Sequence, residues 1–111
     1  MNKSEASKIE DVAPVILYHS KVPSTIKGYL FTFKTNGDAR FTCSIYGERE
    51  EKPIFTSIFQ RQRGGRPFTV RWDSKDAVKG PYKLVIKGYF LDNNIHLDQT
   101  VRFIHEPMLE P

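Results

Sequence analysis

The residues best suited to chemistry in this 111-residue chain are arginines. The stretch "RQRGGR" places Arg61, Arg63 and Arg66 around Gly64-Gly65. Guanidinium forks grouped in this way match phosphate and other anionic oxygens. RNA-binding elements of similar composition are repeated and disordered, so a single copy between two strands also reads as a solvated turn. His96 and Asp98 alternate onto one strand face about 7 Å apart. Two such groups can ligate a metal, but a protein site needs more ligands and a supporting shell, and no metal or cofactor is expected. The other histidines, His19 and His105, stand apart from this pair in the sequence. Cys43 is the only cysteine, which excludes an internal disulfide. Within "FTCSIYG" it alternates with Phe41 and Ile45 and reads as a small core residue rather than a nucleophile. Asp73 and Asp76 lie in turn chemistry, where Asp caps backbone groups. No nucleophile pairs with a base, so the chain is read as a non-enzyme that takes no small-molecule substrate.

Composition limits what can position these residues. The length suits one domain, able to bury roughly 65% of its unfolded surface without staples. Hydrophobic residues make up 39% and charged residues 27%, the profile of a globular chain. Aromatics reach 13%, which favours strands. The net charge of +4 comes from 17 basic and 13 acidic residues, a mild bias toward anionic partners. The longest apolar run, "VAPVILY", is far short of the ~20 residues of a spanning helix, so no membrane span is expected. "MNKSEASKIED" is polar and carries no signal peptide; it fits a cytoplasmic protein or a secreted one in mature form.

Strand signals then follow in order. "APVILYHSK" comes first. "KGYLFTFKT" alternates Tyr29, Phe31 and Phe33 against Leu30, Thr32 and Lys34. Asn36-Gly37 follows, and "ARFTCSIYG" returns with Phe41, Cys43 and Ile45 on one face. This predicts a β-hairpin over Tyr29 to Gly47. "IFTSIFQ" reads as one strand with apolar residues on both faces. "PFTVRW" turns Phe68, Val70 and Trp72 inward. "YKLVIKGYFL" turns Tyr82, Leu84 and Ile86 inward. After the turn at Asp92-Asn93-Asn94, Ile95, Leu97, Val101 and Phe103 share a face opposite His96, Asp98, Thr100 and Arg102. About seven strands with regular turns predict an all-β, immunoglobulin-like antiparallel sandwich. The domain is expected over 12–107, after a flexible tail at 1–11 and before a frayed end at 108–111.

"GGRPFTVRWDSKDAVKGPYKLVIKGYF" is similar to the end of the Ig-like module in flagellar hook-capping proteins and related bacterial surface modules. Phe68, Trp72, Asp73, Gly80, Tyr82, Leu84 and Ile86 carry the likeness, with Pro81 directly before Tyr82 where those modules have "D-G-x-Y". The intracellular proteinase inhibitor family shows a looser version. The resemblance implies a protein-binding or assembly module, with the tryptophan plugging the core.

The expected partner is therefore a protein or a second copy of the chain. Tyr46, Phe55, Phe59, Tyr89 and Phe90 are more aromatics than one buried face requires. The predicted interface is Phe55 and Phe59 continued by Arg61, Arg63 and Arg66, with Ile54 and Ile58 facing the core. A polyanion or nucleic acid is the alternative, held by the arginine loop and a basic face of Arg71, Lys83, Lys87 and Arg102. A third reading, carbohydrate binding by a secreted domain, requires an exposed Trp72.

Overall fold

Large apolar residues at every second position force a chain to bury one strand face, and two such sheets bury their faces against each other. The computed structural model, which describes residues 9–18, 25–57, 60–74 and 77–106, has this arrangement. Its strands are β1 (Ile9–Tyr18), β2 (Ile26–Thr35), β3 (Ala39–Gly47), β4 (Phe55–Thr56), β5 (Gln60–Gln62), β6 (Phe68–Asp73), β7 (Gly80–Phe90) and β8 (His96–His105). One antiparallel sheet has the order β1-β2-β6. The other runs β4-β3-β7-β8, with β5 also paired to β3. Among the described residues no helix is long and apolar enough to cross a membrane.

The predicted inward faces meet between the sheets. Tyr29, Phe31 and Phe33 of β2 lie opposite Trp72, Val70 and Phe68 of β6. In the second sheet Cys43 is opposite Ile86, and Ile45 is opposite Leu84. Aromatic rings bridge the layers: Phe33 to Phe41 at 5.4 Å, Phe41 to Phe68 at 5.1 Å and Tyr29 to Phe103 at 5.1 Å between centroids. Such pairs contribute about 0.5–1.5 kcal/mol each beyond the area they bury.

The hairpin expected over Tyr29 to Gly47 does not form. β2 and β3 belong to different sheets, and Asn36-Gly37 carries the chain from one to the other. Both edges of β2 are taken, by β1 and by β6. Neither Asn36 nor Gly37 is at positive φ, as a two-residue hairpin turn would require. The crossing is held instead by its neighbours: Gly65 N donates to Thr35 O at 2.7 Å, and Leu91 N donates to Asp38 O at 2.9 Å. The turn at Asp92-Asn93-Asn94 does close a true hairpin, β7–β8. There Asn94 takes φ 55°, and its N–H donates to Phe90 O at 3.0 Å.

Three further expectations change. β1 starts at Ile9, inside the stretch read as tail, because Ile9 and Glu10 continue the ladder opposite Thr35 and Lys34. A register shift between Glu10 and Ala13 hides this in the sequence by breaking the alternation. The single strand expected over Ile54 to Gln60 is two short pieces, β4 and β5, on the edge of β3. Ile95 precedes β8 and is half exposed, so it does not share the buried face of Leu97. The segments 1–8 and 107–111 lie outside the described residues.

Candidate functional site

Among the described residues of the predicted partner site, Phe55 does not share a surface with Arg61, Arg63 and Arg66. Phe55 packs against the core and Ile54 points outward, 51% exposed, the reverse of the expected facing. In β4 the pairing Ile45–Phe55 places Phe55 on the inner face, because Ile45 is itself core. Ile58 and Phe59 lie outside the described residues, as do His19 and Asp76. Phe90 is buried, whereas Tyr46 and Tyr89 are half-buried on the outer face of the second sheet. Lys83 Nζ stands 5.7 Å from the Tyr46 ring centroid.

The four residues of the expected basic face are also divided. Lys83, Lys87 and Arg102 share the outer side of the second sheet, with Lys83 directly opposite Arg102. Arg71 projects from β6 of the other sheet, on the far side of the sandwich. Charge there is mixed, since Asp98 is opposite Lys87 and Arg102 Nε donates to Glu48 Oε1 at 3.0 Å. Among the described residues no group of three or more His, Cys, Asp or Glu could hold a metal.

The arginine loop is a docked turn. Asp38 accepts from Gly64 N at 2.9 Å through Oδ1, and its Oδ2 lies 3.7 Å from the Arg61 guanidinium. Gly65 sits at φ +79°, and a Cβ on Gly64 would come within 2.6 Å of Gly37 Cα. Arg61, Arg63 and Arg66 are exposed. Arg61 lies directly opposite Arg40, a neighbour that alternation alone did not reveal.

The opposite end of the sandwich carries an open groove of about 1060 Å³ between the β3–β4 and β6–β7 connections. Pro53, Ile54, Val78 and Pro81 line it, together with parts of Trp72 and Tyr82. Glu48, Arg49, Glu50, Lys52 and Lys79 rim it with both signs of charge. Its walls are anchored. Ile54 N donates to Ile45 O at 2.8 Å, Glu48 N to Pro81 O at 3.1 Å, and Ala77 N to Ser74 O at 3.0 Å. The Tyr82 hydroxyl donates to Val78 O at 2.6 Å, which fixes the backbone of a valine whose side chain is 76% exposed. Ile54 and Val78 are both exposed and line the same groove, and apolar groups grouped in this way mark interaction sites. Sequence reasoning missed this site because its exposed apolar residues, Ile54 and Val78, sit in connections, where periodicity carries no information. The available signal was isolated apolar residues beside prolines and charges in "EEKPIF" and "AVKGP".

Behind the groove, His105 is fully buried. Its Nδ1 shares a 3.0 Å hydrogen bond with the Tyr29 hydroxyl, and the Tyr29, Trp72 and Tyr82 rings surround it. Burial holds its pKa below the ordinary histidine value, outweighing the carbonyls of Ala77 and Ser74 and the Glu106 carboxylate, which favour protonation. The native ring is thus neutral near pH 7. Below about pH 6.5 the unfolded chain takes up a proton that the native ring resists, so unfolding gains a proton. The contribution is full above that pH and falls as pH drops toward the depressed native value. Melting temperature should fall from pH 7.5 to pH 5 in the parent, with a shallower slope in a folded His105→Phe variant. Equal slopes would remove His105 as the cause.

Burial pushes the Cys43 thiol up to about 12, against the opposing hydrogen bond from Ser57. Native protein should resist thiol reagents at pH 8 and react fully once unfolded. Fast native labelling would contradict this environment.

Comparison with known proteins finds no matching family model, no matching curated protein and no matching solved structure.

Proposed function

We propose that the chain is a non-enzymatic protein-binding module on an immunoglobulin-like sandwich, and that its partner docks in the groove at the Ile54/Val78 end. The groove itself carries the reading: apolar at the centre and rimmed by mixed charge, it has the anatomy of a protein interface. The fitting partner is an extended protein segment with an apolar anchor and charges of both signs beside it. Strand order supports the immunoglobulin-like assignment, with β1-β2-β6 facing β3-β7-β8 as A-B-E faces C-F-G. So does the Tyr82–Val78 bond at the entry to β7, the position of the tyrosine corner in such domains. A protein-assembly role like that of the hook-capping Ig-like modules fits the same site. Burial of Cys43 fits its reading as a core residue rather than a nucleophile.

Val78→Asp should abolish partner capture at low and high salt alike and leave the melting temperature within about two degrees, as expected for an exposed site. Capture that survives the substitution would sink the groove reading. A second reading is favoured by the direct opposition of Arg40 and Arg61 beside exposed Arg63 and Arg66. Like charges opposite each other cost stability, and an anion would relieve this. Binding of that kind should weaken steeply as salt rises. The carbohydrate reading needs an exposed Trp72, but Trp72 is only 5% exposed.

A further inference from the structure

A sandwich of two open sheets has four edges, and native proteins blunt such edges to prevent strand addition. Two are blunted here and a third is short. β1 carries Pro14 and two register irregularities. β6, at six residues, offers a shorter edge than the ten of β8 and carries the charged Arg71 and Asp73 on its exposed face. β4 and β5 are fragments of two and three residues. The fourth edge, β8, runs for ten residues without proline, in unbroken register with β7 from Gly80–His105 to Tyr89–His96. Among the described residues no strand is hydrogen-bonded to its other side, and β1 of the first sheet approaches it without pairing.

The sequence of β8 is complementary to itself. Centred on Thr100, an antiparallel copy places Thr100 opposite Thr100, Asp98 opposite Arg102 and Arg102 opposite Asp98. On the inner face Gln99 meets Val101, and Leu97 meets Phe103. Asp98, Thr100 and Arg102 are exposed on the outer face, and Gln99 and Val101 are the incompletely covered inner positions of the strand. Opposite-charge and Thr–Thr pairs are the favourable cross-strand combinations. A two-fold axis through the strand centre would satisfy both charge pairs at once, as an isologous interface requires.

We propose that the chain self-associates through β8, joining the second sheets of two copies into one continuous sheet. The strand's centre lies outside the groove and meets its rim only through the Arg102–Glu48 bond, so Asp98 and Thr100 variants test this surface without touching the groove.

The test uses the full chain in sedimentation velocity over micromolar to millimolar concentration. The parent should form a dimer. Asp98→Arg alone places two arginine pairs across the axis, and Arg102→Asp alone places two aspartate pairs. Each should weaken dimerisation about tenfold or more. An equal mixture of the two variants should form a heterodimer, because each strand then meets the opposite charge. Circular dichroism checks that both variants remain folded. Thr100→Lys, which sets two ammonium groups on the axis, gives a second disrupting variant. A parent that stays monomeric, a dimer that persists in the single variants, or a mixture that stays monomeric would each overturn the proposal.

Discussion

Trp72→Ala should cost about 3–5 kcal/mol, the largest loss expected from any single truncation in this chain. Trp72 is buried where the two sheets meet, and four rings touch it: Tyr82 at 5.2 Å, Tyr29 and Phe103 at 5.9 Å, and His105 at 6.0 Å. These rings come from β2, β7 and β8, so no single strand shift can refill the void. Truncation also strips the cover from the Tyr29–His105 hydrogen bond. At about 4 °C per kcal/mol for a domain of this size, the melting temperature should drop by roughly 12–20 °C. A small domain has only about 5–15 kcal/mol of stability, so partial unfolding at room temperature is the expected limit. A variant that melts within two or three degrees of the parent would show that Trp72 does not plug the core.

Gly88→Ala should cost about 3 kcal/mol although it adds one methyl group. Gly88 lies on the inner face of β7 between Phe41 of β3 and Leu97 of β8. A Cβ there would collide with Arg40 O, come within 2.6 Å of Phe41 Cα and within 2.7 Å of Arg40 C. All three are backbone atoms of a paired strand, so no side chain can rotate away. The strands must separate locally, breaking ladder bonds in the middle of the second sheet. Glycine inside a strand marks such a close approach. Gly65→Ala makes a useful comparison: a Cβ there meets nothing within 4 Å, so only its φ of +79° resists the change. Thermal melts should rank Gly88→Ala as the more damaging of the two. Equal effects would contradict the close packing of β3 on β7.

What was legible in the sequence was facing, and what was not was partnership. Tyr29, Phe31 and Phe33 alternate with Leu30 and Thr32, and Phe68, Val70 and Trp72 with Thr69 and Arg71, so the side-chain period of a strand puts each apolar set on one face. Which strands pair is decided by contacts far apart in sequence. Asn36-Gly37 carries the same local signal whether the chain returns in its own sheet or crosses to the other, and competition for the edges of β2 settles it. Ile54 and Phe55 were ambiguous for another reason. Neighbouring apolar residues give no alternation, and β4 is too short to average over. The arginines behaved similarly. Their exposure could be read locally, but the place of Arg71 on the other sheet, and of Arg40 beside Arg61, is set by register alone.

The most direct test of the groove is a map of where a captured partner touches the isotope-labelled domain, read as amide shift changes in NMR spectra. The groove reading predicts perturbations concentrated at Gly47 to Ile54 and Ala77 to Tyr82, with Val78 and Ile54 the largest. Perturbations concentrated instead at Arg40, Arg61, Arg63 and Arg66, at the opposite end of the sandwich, would contradict it.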